Sequence, residues 1–377
     1  MQLAVEQLHA AGGISITASH NPMQWNGLKF MATTGMFLNA EENKKFWAIA
    51  ERGNFGFAAW DKQGKFENDA TWIDRHIQKI ISLPYINLEA VRSKKFKVVV
   101  DCDNAAGCVI VPKLLRQFEC RIIPLNCELT GIFSHTPEPI PENLTQLAAK
   151  VVEEKADLGI AVDPDVDRLV LINEKGEPFV EEYTIASAVN FVLKKEMELG
   201  KKDQRVVVNL STTRAVDDIA TKFGASVART PVGEINVAAK MKEIGAVVGG
   251  EGSGGVILRE VHLGRDAMVG IGLFLQFLTE FGGKTSELKA SLPQYTIVKN
   301  KIELGTLQPD IILKKLNEKY SRTEKANSDD GLKIDFASSW VHLRKSNTEP
   351  IIRIIAEAKT RDEASSLVER FKKEILA

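Results

Sequence analysis

Apolar positions along the chain switch between two spacings, and the switch predicts an α/β protein. Continuous aliphatic runs, such as Phe96 to Asp101, Leu158 to Val162 and Arg205 to Leu210, are typical of buried strands. In segments such as Arg214 to Phe223, apolar residues instead recur every three or four positions, which predicts amphipathic helices. Strands that alternate with helices of this length indicate βαβ crossovers and mostly parallel sheets.

The same layout of strand, polar turn and helix occurs near Asp101 and near Ser211, which indicates a weak internal repeat. The end of the chain differs, because its strands follow one another between two helices. We therefore predict tandem αβα domains with mixed, mostly parallel sheets, followed by a C-terminal α+β domain, with residues 285–301 as a linker and a strand. The predicted domains are residues 1–66, 67–178, 179–285 and 286–377.

Charge and composition exclude several classes of function. The 377 residues include 49 Lys and Arg against 50 Asp and Glu, with no basic block that could bind nucleic acid. No apolar run reaches the roughly 18 residues of a membrane span, and the first residues do not resemble a signal peptide. The four cysteines lack zinc-site spacing. We expect a cytoplasmic protein with reduced thiols and a small-molecule substrate.

A polar loop from Thr17 to Pro22 follows the predicted strand Ile14 to Thr17. Ser19, at the end of a strand and next to His20, is placed as a nucleophile or a carrier of a phosphoryl group would be. Lys29 could supply positive charge nearby, or act as a base if its pKa is lowered. The alternative is a plain turn whose side chains bond their own backbone.

A second loop carries the carboxylates Asp163, Asp165 and Asp167 followed by Arg168, between two apolar strands. Alternate residues of an extended chain point the same way, so the carboxylates would repel one another unless a cation binds. Oxygen ligands favour Mg²⁺ or Ca²⁺. The alternatives are a solvated acidic turn and the nucleophile motif of haloacid-dehalogenase-type phosphatases.

Two further loops contain groups that suit a phosphorylated sugar. The glycine-rich segment 249–255 allows close approach of a ligand and offers Glu251 and Ser253 to hydroxyl groups, although such a segment is often only a turn. The segment from Arg344 to Pro350 combines cations, hydroxyls and an amide, which suits a phosphate dianion. The alternative for the latter is a basic hairpin tip.

Taken in this order, the four loops resemble the α-D-phosphohexomutase family across essentially the whole chain. Members carry TASHNP, DxDxDR, GExSG and RxSNTEP, which here are residues 17–22, 163–168, 250–254 and 344–350. The resemblance implies three similar αβα domains and a different C-terminal domain around a cleft. It also implies a mutase that interconverts hexose 6-phosphate and hexose 1-phosphate through phosphoserine and a 1,6-bisphosphate.

By resemblance, the site residues have three roles. The catalytic residues would be Ser19, His20, Lys29 and Arg168; the Mg²⁺ ligands would be Ser19, Asp163, Asp165 and Asp167; and the substrate-binding residues would be Glu234, Glu251, Ser253, Arg344, Ser346, Asn347 and Thr348. A glucose 1,6-bisphosphate-type activator would phosphorylate the serine. The protein is expected to be a monomer or a homodimer.

Two departures from the family pattern affect these expectations. No GTSGxRG-type segment is found, so we expect the first domain to lack about 90 residues and this chain alone to be weakly active or poorly folded near Ser19. The segment around Glu234 resembles that of phosphoglucosamine mutases, and a carboxylate there would favour a 2-ammonium sugar. The alternative is that Glu234 only begins a helix, where an acidic residue suits the helix dipole. Glucosamine phosphate is the predicted substrate, with mannose or glucose phosphate as the alternative.

Overall fold

A computed structural model describes residues 1–305, 307–346 and 350–376 of the chain. The N-terminal unit consists of α1 (Gln2–Gln7), β1 (Gly13–Ile16), β2 (Leu28–Met31) and α2 (Ala40–Arg52). The two strands pair antiparallel, with Ile14 opposite Phe30. A two-stranded sheet covers little surface, and α2 accordingly contributes no buried residue.

The second unit is an αβα layer structure around a four-stranded sheet. Its elements are α3 (Trp72–Ile81), α4 (Leu88–Lys94), β3 (Lys97–Asp101), α5 (Gly107–Gln117), β4 (Arg121–Leu125), α6 (Thr145–Glu154), β5 (Leu158–Val162) and β6 (Leu169–Asn173). The strand order is β4-β3-β5-β6, in which β3 runs parallel to both neighbours and β6 is antiparallel.

The third unit repeats this plan. Its elements are α7 (Glu181–Glu198), β7 (Arg205–Asn209), α8 (Ala215–Lys222), β8 (Ser226–Thr230), α9 (Glu234–Ile244), β9 (Val248–Glu251), β10 (Gly255–Leu258) and α10 (Ala267–Phe281). The order β8-β7-β9-β10 again joins three parallel strands to one antiparallel edge strand, so the predicted internal repeat is confirmed. One continuous hydrophobic core serves units two and three, where Phe191 of α7 stacks on Phe277 of α10 at 5.6 Å.

The C-terminal unit has a core of its own and an entirely antiparallel sheet. A short helix, α11 (Thr285–Ser291), precedes it. Its elements are β11 (Thr296–Glu303), α12 (Pro309–Tyr320), β12 (Lys325–Asn327), β13 (Leu332–Asp335), β14 (Trp340–Lys345), β15 (Ile351–Ala358) and α13 (Arg361–Leu376). The sheet order is β11-β15-β14-β13-β12. The predicted fold class, tandem αβα domains and then an α+β domain, is confirmed.

The structure corrects the prediction at three places. Part of the expected linker 285–301 forms α11, which buries Leu288. The glycine-rich segment is a tight β-hairpin, since Glu251 of β9 pairs with Gly255 of β10. The helices α7 and α10 were not predicted, because they are buried on nearly every side and therefore show no separate polar face. No helix among the described residues is long and apolar enough to cross a membrane.

Candidate active site

The acidic loop between β5 and β6 folds around its first carboxylate. Oδ1 of buried Asp163 accepts the backbone N–H groups of Asp167 (3.0 Å) and Arg168 (2.9 Å). The backbone of Val166 adopts a positive φ of 63°, which turns the loop sharply. As a result, one carboxylate oxygen from each of Asp163, Asp165 and Asp167 lies within 4.8 Å of the other two.

Three oxygens of this loop fit a divalent cation because they accept no hydrogen bond, although Arg168 Nε lies 3.9 Å from Asp163 Oδ2 and 3.8 Å from Asp167 Oδ1. Asp163 Oδ2, Asp165 Oδ1 and Asp167 Oδ1 are buried and accept no hydrogen bond from any described residue. Burial, and then the charges of Asp167 and Asp165, raise the pKa of Asp163 well above its ordinary value. Such a group of buried carboxylates is costly to ionise unless a hard cation with oxygen ligands binds among them. Asp163, Asp165 and Asp167 are therefore suited to hold Mg²⁺.

Lys29 partly neutralises the loop. Its Nζ lies 2.5 Å from Asp165 Oδ2 and 3.6 Å from Asp167 Oδ2. Burial lowers the pKa of Lys29, but the two carboxylates outweigh this effect and the net pKa is raised. Lys29 would need a lowered pKa to act as a base. Because its pKa is raised instead, Lys29 acts here as a cation.

Arg265, which the sequence analysis missed, joins three carboxylates at one buried point. Its Nη2 lies 2.6 Å from Asp167 Oδ2 and its Nη1 lies 2.7 Å from Glu251 Oε2. Its Nε lies 3.3 Å from Glu234 Oε2. The N–H of Ala267 donates to the carbonyl of Val166 (3.1 Å), so the start of α10 is also fixed to the acidic loop. Arg265 therefore links the acidic loop to the glycine-rich hairpin.

Ser19 lies in a turn whose residues also bond one another. Its backbone adopts a φ of 53°, its N–H donates to Thr17 Oγ1 (2.9 Å), and Asn21 Nδ2 donates to the Ala18 carbonyl (2.7 Å). Ser19 Oγ lies 3.2 Å from Nδ1 of His20. Burial and the neighbouring Arg168 lower the pKa of His20. The imidazole is therefore neutral near pH 7 and able to exchange a proton with the serine hydroxyl.

A central cavity of about 790 Å³ brings together five of the predicted site residues. It is lined by His20, Arg168, Glu251, Ser253 and Arg344, which come from all four units of the chain. The cations around it outnumber the carboxylates. The described lining cations are Arg168, Arg265, Lys299, Lys301, Arg344 and Arg353, and the lining carboxyl groups are those of Glu138, Glu182 and Glu251. Such a surface favours an anionic ligand.

The glycine-rich hairpin is placed against the acidic loop by its backbone. The carbonyl of Gly254 accepts the N–H of Leu169 (3.0 Å), and a Cβ on Gly254 would lie 2.5 Å from the Leu169 carbonyl oxygen. Only glycine allows this approach at a φ of 92°. Glu251 Oε1 meanwhile accepts from Asn209 Nδ2 (2.8 Å) and from the Gly233 N–H (2.9 Å), which fixes its carboxylate at the edge of the cavity.

The predicted phosphate loop is described only in part. Arg344 Nε lies 2.9 Å from Asp330 Oδ2, and the same oxygen accepts the N–H of Val232 in the third unit (2.9 Å). The N–H of Ser346 donates to the Ile351 carbonyl (3.0 Å). Asn347 and Thr348 lie outside the described residues, so their predicted role stays a prediction.

Glu234 is the first residue of α9 and lines a second, smaller cavity of about 310 Å³ beside the acidic loop. Its Oε1 accepts from the Arg265 N–H (3.0 Å) and from Gln2 Nε2 (3.3 Å). Burial, only partly offset by Arg265, raises its pKa to about 7. Its position thus fits both the helix-start alternative and a role in orienting Arg265, and its predicted contact with the sugar stays a prediction.

Lys299, Lys301 and Arg353 of the C-terminal sheet also line the central cavity and were missed. Lys299 and Lys301 lie on β11, and Arg353 lies opposite Lys301 on β15. One signal was available for Arg353, since it is a single cation within the apolar run 351–356. A charge in that setting usually has a partner or a function.

Sequence profiles of one family match four consecutive parts of the chain. They are the alpha/beta/alpha domains I, II and III and the C-terminal domain of phosphoglucomutase/phosphomannomutase, at residues 1–56, 74–176, 181–295 and 305–374. The chain belongs to this family. The resemblance seen in the sequence motifs is thereby confirmed, and the chain is an enzyme of the phosphosugar mutase class, which replaces the dehalogenase alternative.

Members of the phosphoglucomutase/phosphomannomutase family are similar in sequence to nearly the whole of this chain. The phosphoglucomutase/phosphomannomutase of Thermococcus kodakarensis is 34% identical over 370 residues, which cover 98% of this chain and 79% of the relative. The phosphoglucosamine/phosphogalactosamine mutase of Sulfurisphaera tokodaii is 32% identical over 377 residues, covering 99% and 82%. The crystal structure of a family member from Burkholderia thailandensis has the same fold, with a TM-score of 0.81 at 23% identity over 96% of this chain and 75% of that one.

Proposed function

We propose that this phosphohexomutase interconverts glucosamine 6-phosphate and glucosamine 1-phosphate, with phosphorylated Ser19 as the donor and acceptor of the phosphoryl group. The observation that carries the proposal is the position of the acidic loop. Three of its carboxylate oxygens accept no hydrogen bond, and Arg168, the last residue of the loop, lines the same cation-rich cavity as His20, the neighbour of Ser19.

Substrate binding follows from the charges of the cavity. A sugar phosphate brings about two negative charges, and the guanidinium groups of Arg344 and Arg353 can bind phosphate oxygens in pairs. These residues come from the C-terminal sheet, whereas Arg168 and His20 line the same cavity from the side of the acidic loop. One phosphate is bound at the C-terminal sheet while the opposite end of the sugar faces Ser19. Glu251 and Ser253, between them, are placed to accept hydrogen bonds from sugar hydroxyls.

Transfer requires that one bond forms as another breaks. The phosphorus leaves Ser19 Oγ and bonds to a hydroxyl oxygen of the sugar, which gives a 1,6-bisphosphate, and the hydroxyl proton passes to a base. His20, neutral and 3.2 Å from Ser19 Oγ, is suited to take that proton and to deliver it to Ser19 Oγ, which keeps the electron pair of the broken bond. Arg168 and Lys29 balance the charge of the transferring group.

A Mg²⁺ ion held by Asp163, Asp165, Asp167 and Ser19 would supply further positive charge for the phosphoryl oxygens. The bisphosphate then turns over and returns its other phosphoryl group to Ser19, which completes the isomerisation. A glucose 1,6-bisphosphate-type activator would phosphorylate the serine initially. The residues of the cavity exclude bulk water from the phosphoserine when the C-terminal unit closes.

Glucosamine is proposed as the sugar on two grounds. One similar relative is named for phosphoglucosamine and phosphogalactosamine, although another is named for phosphoglucose and phosphomannose. The cavity also contains the carboxylates Glu138 and Glu251, which can attract a 2-ammonium group. Glucose or mannose phosphate is the alternative substrate. A cytoplasmic location, and a monomeric or homodimeric state, stay predictions.

Labelling of Ser19 tests the mechanism. The Mg²⁺-loaded chain is incubated with ³²P-labelled glucose 1,6-bisphosphate, alongside Ser19→Ala and the control Ser93→Ala, whose hydroxyl donates to its own helix at Ala90 O. We expect label on the wild type and the control, stable to hydroxylamine, and none on Ser19→Ala. Label on Ser19→Ala, or no label on a folded wild-type chain, would refute the phosphoserine proposal. Turnover of glucosamine, glucose and mannose 6-phosphates then ranks the substrates, and binding without turnover identifies an inactive sugar-phosphate-binding protein.

A further inference from the structure

Three of the four cysteines converge at one edge of the second sheet, away from any role described above. Cys102 directly follows β3, Cys127 lies two residues after β4, and Cys108 is in the first turn of α5. Because β3 and β4 are parallel and pair Asp101 with Leu125, their carboxyl ends bring Cys102 and Cys127 together. The Sγ atoms of all three cysteines lie within 4.8 Å of one another.

The backbone holds the three thiols in place. The N–H of Asn104 donates to the Asn126 carbonyl (2.7 Å), which joins the loop after β3 to the loop after β4. Gly107, at the start of α5, lies so close to Cys102 that an added Cβ would be 3.1 Å from its Sγ. Glycine at this position lets the helix bring Cys108 toward the other two sulfurs.

We propose that Cys102, Cys108 and Cys127 bind one thiophilic cation of the Zn²⁺, Cd²⁺ and Cu⁺ class. Metal–sulfur bonds of about 2.3 Å place three sulfurs around one ion at about 3.8–4.0 Å from each other. All three Sγ–Sγ distances are below 4.8 Å, so each sulfur needs to move by no more than about 1 Å to reach the spacing around a bound ion. Three soft sulfur ligands select such cations over Mg²⁺, so this site and the acidic loop take different metals.

When the cation binds, three metal–sulfur bonds replace three S–H bonds. In the free protein the thiols are protonated, and Cys127 Sγ donates to the carbonyls of Leu125 (3.2 Å) and Val100 (3.4 Å). As each sulfur bonds to the cation, its S–H proton passes to solvent, so up to three protons are released per ion. The hydrogen bond between Cys102 and Cys108 raises the pKa of the first thiol and lowers that of the second, which agrees with direct contact between the sulfurs.

The site lies next to the acidic loop. The strands β3 and β5 are parallel neighbours that pair Asp101 with Ala161, so Cys102 and Asp163 follow adjacent strands at the same edge of the sheet. A Cβ on Gly107 would also meet Val162, the residue before Asp163, at 2.7 Å. A cation at the three thiols therefore fixes the edge of the sheet from which the acidic loop starts.

The test uses the reduced 377-residue chain under nitrogen, with excess Mg²⁺ to fill oxygen sites. Cd²⁺ is added and the thiolate-to-metal charge-transfer absorption is followed. We expect one Cd²⁺ per chain, release of up to three protons, and an affinity at least tenfold lower in Cys108→Ser and Cys127→Ser. Cys120→Ser is the matched control, because Cys120 lies outside the group at the other end of α5, and it should bind like the wild type.

A second measurement needs no substitution. Zn²⁺ should slow iodoacetamide alkylation of Cys102, Cys108 and Cys127 in the unmodified chain and leave the rate at Cys120 unchanged, as read by peptide mass spectrometry. Absence of thiolate absorption, equal loss of binding in Cys120→Ser, or equal protection of all four thiols would overturn the proposal. A disulfide between two of the three thiols that persists after reduction would also overturn the proposal.

Discussion

Nη2 of Arg265 lies 2.6 Å from Oδ2 of Asp167, in a contact where both side chains are about nine-tenths buried. The same guanidinium reaches Glu251, so one residue sets the distance between the acidic loop and the glycine-rich hairpin. The geometry of the central cavity thus depends on a residue that belongs to none of the four recognisable motifs.

Arg265→Met tests this dependence. The substitution leaves Asp167 and Glu251 without their shared partner, and breaking a buried ion pair costs about 3 kcal/mol of unfolding free energy. We expect this loss in urea unfolding and a fall of about 100-fold in kcat/KM. Arg259→Met is the control, because exposed Arg259 only donates to the Gly245 carbonyl, and it should change stability by less than about 0.5 kcal/mol. Equal activity of Arg265→Met and the control would contradict the linking role.

Asp165→Asn tests the cation site with little risk to folding, because Asp165 is the least buried of the three carboxylates. Removal of one anionic ligand should weaken Mg²⁺ binding at least about tenfold. In the wild type, Mg²⁺ should raise the thermal transition, since ligands that bind only the folded state stabilise it. Calorimetric titration without substrate measures the affinity. Asp329→Asn, an exposed position, serves as the control, and an unchanged affinity in Asp165→Asn would place the cation elsewhere.

Stability should depend on pH through His342, which joins the third and fourth units. Its Nδ1 lies 2.8 Å from Ser211 Oγ and its Nε2 donates to the Asp330 carbonyl (2.6 Å). Burial lowers the pKa of His342 to about 4, against an ordinary value of 6.5. Between these values the unfolded chain binds the proton and the folded chain does not. Stability is therefore full above pH 6.5 and falls by up to about 3 kcal/mol toward pH 4.

His342→Gln removes this titration. Urea unfolding at a series of pH values should show a smaller loss between pH 6.5 and pH 4 in the variant than in the wild type. His9→Gln, at an exposed position, should keep the wild-type dependence. Parallel curves for the wild type and His342→Gln would show that His342 is not the responsible group.

Asp330→Asn tests how Arg344, the proposed phosphate-binding cation, is positioned. Asp330 Oδ2 contacts both Arg344 Nε and the Val232 N–H, each at 2.9 Å. Loss of its charge removes a charged contact worth about 1.5 kcal/mol, so we expect KM for the phosphosugar to rise about tenfold with kcat little changed. The neighbouring Asp329→Asn is again the control. A fall in kcat at constant KM would assign Asp330 to closure of the C-terminal unit instead.

Regular elements could be predicted where a local pattern was clear. The predicted bounds of β5, Leu158 to Val162, agree with the structure to the residue, because the aliphatic run ends at a polar loop. The helices α7 and α10 were missed, since a helix covered on all sides has no period to detect. For the hairpin of β9 and β10 the sequence predicts only a glycine-rich loop or turn, because glycines conceal strand propensity.

The residues of the candidate site also fall into two groups, those that a local sequence pattern predicts and those that it does not. Ser19, the acidic loop, Glu251 and Arg344 could be identified because each lies in a short segment whose own residues indicate its chemistry. Arg265, Lys299 and the three converging thiols could not, since nothing next to them in the chain indicates their partners. Lys299 reaches the cavity only because β11 pairs with β15.

The sequence by itself determined which strands and turns form and which short segments carry carboxylates, hydroxyls and cations, because those properties depend on neighbours along the chain. Only the tertiary structure decided that Arg265 links two loops, that His342 joins two units and that three cysteines meet. These contacts connect residues far apart in sequence, and they exist because the repeated sheets and their shared core bring the ends of separate strands to one place.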